Sequence, residues 1–80
     1  MRLWIGNIAP GTGDDELVEF LKKYYPQLEL AGIQRVEGDG SRPGAILTFS
    51  NAALGVLEQA SLRLHGMHWK GRELVVQTIR

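Results

Sequence analysis

The sequence contains no cysteine. No disulfide can staple the fold, and no thiolate can hold a metal. Net charge is also missing, because nine Lys and Arg offset nine Asp and Glu. This excludes the broad positive field of a strong non-specific nucleic-acid binder, though not a small basic patch. No run approaches the ~18 consecutive apolar residues of a membrane span. The opening Arg2-Leu3-Trp4-Ile5-Gly6-Asn7 is too short and too polar for a secretory leader. A cytoplasmic domain with no membrane partner is the expectation. Aromatics are scarce, with two each of Trp, Tyr and Phe, so each must be accounted for.

Eighty residues make one domain, spanning 1–80. A chain this short buries about 60% of the surface its unfolded form exposes, which leaves little volume for an enclosed cleft. No Ser/His/Asp or Cys/His arrangement, phosphate-cradling glycine motif or paired carboxylate is recognisable. The expectation is a protein that is not an enzyme and holds no cofactor. His65-Gly66-Met67-His68 offers two imidazoles but no further ligand nearby, a weak metal signal.

Six elements are legible. Leu3 to Ile8 is a β-favouring run closed by Ala9-Pro10-Gly11. Alternation places Leu3 and Ile5 on one face, Trp4 and Gly6 on the other. Thr12 is positioned to cap a helix from Gly13 to Tyr24, with acids at its start and Lys22 and Lys23 at its end. Leu17, Phe20, Leu21 and Tyr24 form its apolar stripe. Ala31–Glu37 and Arg42–Phe49 read as strands around an Asp39-Gly40 turn. Ser50 or Asn51 caps a second helix, Ala52 to Leu64, with Leu54, Leu57, Ala60 and Leu64 inward. His68–Gly71 is a hairpin tip, with Trp69 against the second helix or the loop. Glu73–Ile79 is the last strand, with Leu74 and Val76 inward.

The order β-α-β-β-α-β defines an α+β ferredoxin-like fold: a four-stranded antiparallel sheet with both helices on one face. The other face is left open, and function is sought there.

With these residues in view, the chain resembles an RNA recognition motif. Leu3-Trp4-Ile5-Gly6-Asn7-Ile8 fits that family's first-strand pattern of aliphatic, aromatic, aliphatic, any, Asn, aliphatic. Ala60-Ser61-Leu62-Arg63-Leu64-His65-Gly66 and Gly71-Arg72-Glu73-Leu74-Val75-Val76 echo its second-helix end and last strand, with His65 at the usual Asn position. The third strand departs. Arg42, Ala45, Leu47 and Phe49 match, but Pro43 replaces a Gly, and Gly44 and Ile46 replace two aromatics expected on the open face.

The resemblance implies binding of single-stranded RNA by stacking bases on sheet aromatics. Each stack contributes about 1–3 kcal/mol, so two missing platforms remove roughly 2–6 kcal/mol. The expected function is therefore a single-stranded RNA-binding module of modest affinity. Its candidate residues are Trp4 as stacking platform, Gln77 to read a base edge, and Arg42 and Arg80 for phosphate. Gly44 and Ile46 complete the patch, with Asn7 at its end and Arg35 or Glu37 contributing from the second strand.

Each residue has a plainer reading. Trp4 covered by the C-terminus or a partner, Ile46 at a protein interface, Arg42 as a solvated charge and Asn7 as a turn former are the alternatives. The competing function is a protein-interaction or self-association module, including a homodimer, on the same apolar face. Tyr24-Tyr25 is read as helix-end core packing.

Overall fold

Alternation of apolar residues decides which side of each strand is buried. In the computed structural model, which describes residues 2–79 and all their side chains except that of Leu54, the strands obey it. Leu3 and Ile5 of β1 (Arg2–Gly6), Ala45, Leu47 and Phe49 of β3 (Gly44–Phe49), and Val76 of β6 (Val75–Ile79) all turn into one core. Leu17, Phe20 and Leu21 of α1 (Asp14–Tyr24) meet them, as do Leu57 and Leu64 of α2 (Leu54–Leu64). Both helices thus cover one face of the sheet. The remaining elements are β2 (Leu30–Val36) and a small hairpin of β4 (His68–Trp69) and β5 (Arg72–Glu73).

The main sheet has the order β2-β3-β1-β6, and every neighbour is antiparallel. This is the expected α+β ferredoxin-like architecture. Strands β1 and β3 occupy its centre. Leu54 was assigned to the apolar stripe of α2, and its side chain lies outside the described residues.

Several boundaries differ from the sequence reading. Thr12 does not cap α1: its hydroxyl donates to Ala9 O at 2.6 Å, and Gly13 takes the cap position. Glu16 then reaches back, accepting the Gly13 N–H at 3.1 Å, and its carboxylate also pairs with Lys70. The hydrogen bond from Lys70, aided by that from Gly13, holds the Glu16 carboxyl below its ordinary value. Ser50 and Asn51 do not cap α2, whose cap is Ala53. They tie down the α1–β2 loop instead: Asn51 accepts the Glu29 N–H at 2.8 Å and donates to Gln27 O at 3.0 Å.

The last strand is split. Arg72 and Glu73 pair with the β4 side of the hairpin, and the sheet resumes at Val75. Leu74 sits at the break, its N–H donating to Met67 O at 2.9 Å and its carbonyl accepting from Gly66. Trp69 packs on Phe20 of α1, with ring centroids 4.6 Å apart. Tyr24 and Tyr25 pack against the core at the end of α1, as expected.

His65 acquires a definite role. It ends α2, and its Nδ1 accepts the N–H of Val76 at 3.1 Å, a group on the outer edge of β6. A neutral imidazole with its proton on Nε2 is required for that bond. His65→Ala is expected to lower stability by about 1 kcal/mol, because the edge N–H then depends on water. His65→Asn keeps an acceptor and is expected to recover most of the loss. Urea unfolding of both variants checks this; equal losses would assign the effect to ring packing instead.

Candidate functional site

Strand register lays out the open face residue by residue. Across its middle, Gln34, Ile46, Trp4 and Gln77 stand side by side on β2, β3, β1 and β6. Toward one end lie Gly32, Thr48, Arg2 and Ile79; toward the other lie Val36, Gly44, Gly6 and Val75. None of these positions carries a carboxylate. The acids lie on both helices, in the loops and, as Glu73, on the β4–β5 hairpin.

Trp4 dominates this face, and its ring direction is fixed by its neighbours. A Cβ added at Gly44 would fall 2.7 Å from Cζ2 and 2.8 Å from Cζ3 of the indole. One added at Gly6 would fall 2.9 Å from Nε1. No side chain could occupy either position with the ring where it is. The indole therefore lies across the sheet on the bare backbone of both glycines, which it buries while remaining half-buried itself. Gly44 is one of the two positions where the sequence resemblance led an aromatic to be expected, and the indole of the neighbouring Trp4 covers it instead.

The other sequence candidates fall around this ring. Ile46 is half-buried directly beside Trp4, and Gln77 is exposed on its other side. Arg42 is exposed just before β3. Asn7 adopts a left-handed backbone (φ 58°), which ends β1. Both ends of its amide are used: Nδ2 donates to Glu73 O at 2.9 Å, and Oδ1 accepts from Arg72 at 3.2 Å. Asn7 thus joins the end of β1 to the β4–β5 hairpin. Arg80 lies outside the described residues.

The expected strand-2 contributors are corrected. Arg35 points to the helical side, donating at 3.0 Å to both Thr12 O and Asp14 Oδ1, and Glu37 pairs with it. The start of α1 supplies acceptors that the open face lacks, which draws the guanidinium there. The residues that do reach the open face from β2 are Gln34 and Val36. Arg2 was also missed, although alternation from Trp4 places it on the same face.

Beside Trp4 is an open depression of about 560 Å³, lined by Trp4, Gly6, Asn7, Arg42, His65, Glu73, Leu74 and Val75. It runs from the β2–β3 turn to the start of β6. Among the described residues, no three His, Asp or Glu side chains come together to hold a metal. No helix there is long and apolar enough to cross a membrane.

With this geometry established, the chain can be set beside known proteins. No protein-family model and no curated protein sequence matches it. A solved structure described as Pes4 RRM3 superposes with a TM-score of 0.79 at 19% sequence identity, over 99% of this chain and 90% of that one. The fold is therefore that of an RNA recognition motif domain.

Proposed function

We propose that this chain is a single-stranded RNA-binding module of modest affinity that uses the open sheet face. The observation that carries the reading is the Trp4 indole, laid flat on Gly6 and Gly44 among strand positions that carry no carboxylate. A base needs a flat apolar surface on which to stack, and this face supplies it. Ile46 borders the ring, Gln77 offers an amide to a base edge, and Arg2 and Arg42 stand toward opposite ends for phosphate. A cytoplasmic location is part of the proposal.

The affinity is modest because one ring does the stacking. Neutralising two phosphates on a single strand gives a slope of log affinity against log salt of about −1.4. Titration of the chain with short single-stranded RNAs, followed by amide shifts, tests the reading. Shifts are expected in β1, β3 and β6 around Trp4. Their absence at millimolar RNA would overturn it.

The same face supports a second reading, as a docking surface for a protein or a second copy. Val36 and Val75 are 38% and 37% exposed on it, flanking the glycine end. Sedimentation at high concentration distinguishes the self-association form, since a strict monomer that binds RNA excludes it.

A further inference from the structure

We infer that the depression beside Trp4 is a base-reading subsite selective for guanine, with Glu73 and Arg42 as the reading residues. The inference rests on the RNA-binding reading and adds the identity of the base. Its starting point is which polar groups of the depression are already used. The Asn7 amide is committed at both ends, to Glu73 O and Arg72. His65 Nδ1 is committed to the Val76 N–H. The Glu73 carboxylate is in none of the hydrogen bonds or ion pairs of the described residues. Hydrogen bonds from Ser41, aided by the charge of Arg42, hold the Asp39 carboxyl below its ordinary value, but the Arg42 guanidinium makes no direct bond to it. Both line the depression, together with the edge of Trp4.

A carboxylate and a guanidinium lining one open depression, not paired with each other, ask for a ligand with donors at one edge and acceptors at another. Among the four bases, guanine meets this best. Its N1–H and exocyclic N2–H are adjacent donors that match the two carboxylate oxygens. Its O6 and N7 are adjacent acceptors that match a guanidinium fork. Uracil flanks its one N–H with two carbonyls, which a carboxylate repels. Adenine and cytosine each set a single amino donor beside a ring nitrogen acceptor, so neither offers a carboxylate two donors side by side.

The two residues are held differently. The Glu73 backbone is fixed by its pairing with His68 and by the Asn7 bond, so the carboxylate projects from a rigid hairpin. Arg42 leaves the β2–β3 turn next to the buried Pro43, whose carbonyl accepts the Ile8 N–H at 2.9 Å. A base entering between them would lie against Trp4 on one side and Val75 on the other.

The test is an amide-shift titration of the whole chain with U6 and with three U-rich hexamers carrying one central G, A or C. The G-containing hexamer is expected to bind roughly 5- to 150-fold tighter than the others. Glu73→Gln keeps the side-chain shape and is expected to abolish the difference between the G hexamer and U6, since it removes both the pull on guanine's donors and the repulsion of uracil's carbonyls. Equal affinity for all four, with shifts in β1 and β3, would overturn the guanine subsite and leave the RNA-binding reading standing. A G preference that survives Glu73→Gln would also overturn it. Failure of every hexamer to bind would overturn both.

Discussion

Trp4→Ala is expected to weaken RNA binding by about 1–3 kcal/mol, or roughly 5- to 150-fold, with little change in fold. The indole is the only aromatic ring on the described open face, so no neighbour can take over the stack. The loss should appear for every RNA sequence, because a π-face carries no base code. Trp4 is half-buried and outside the helix-covered core, so its removal opens no internal cavity. Isothermal titration of parent and variant, with amide spectra to show that both are folded, measures the effect. An unchanged affinity would move the binding surface away from this face.

Placing an aromatic at Gly44 is expected to harm binding. Gly44→Phe places a Cβ within 3 Å of the indole carbons Cζ2 and Cζ3, so the Trp4 ring must leave its seat. The displaced ring is the far end of a flexible side chain, so stability should fall by only about 1–3 kcal/mol. Affinity should drop by roughly tenfold, because the stacking surface becomes mobile. The double variant Trp4→Ala, Gly44→Phe should bind better than either single variant, because one ring then fills one seat. Such a cycle gives a coupling energy of about 0.5–3 kcal/mol. Tighter binding by Gly44→Phe alone, with an unchanged tryptophan fluorescence spectrum, would show that both rings fit and that the seat is not exclusive.

The seat itself was beyond the reach of sequence. Alternation identified Trp4 and Gly44 as residents of one face, and the register pairing Trp4 with Ile46 follows from the fold. Which way the indole turns depends on the absence of a side chain 40 positions along the chain, and no local pattern encodes that. Asn7 was legible in type, since Asn tolerates the left-handed backbone that its turn needs. Its two side-chain partners, Glu73 and Arg72, come from the other end of the chain and were not.

Arg35 shows the opposite case. Its strand was correctly placed, but Ile33, Arg35 and Glu37 share a face whose direction the sequence left open. The choice was made by acceptors at the start of α1, Thr12 O and Asp14. The six elements were readable because each has a clear apolar rhythm. The caps were not, because Thr12, Ser50 and Asn51 had competing partners across loops.

The distribution of charge bears on how the molecule meets its ligand. On the helical side the acids are interleaved with Lys22, Lys23, Arg35, Arg63 and Lys70, two of which are tied up in ion pairs. The strand positions around Trp4 carry Arg2 and no acid. A polyanion therefore meets little field at a distance and a local attraction only once it reaches the sheet. Encounter rates should accordingly depend weakly on salt, with recognition left to contact.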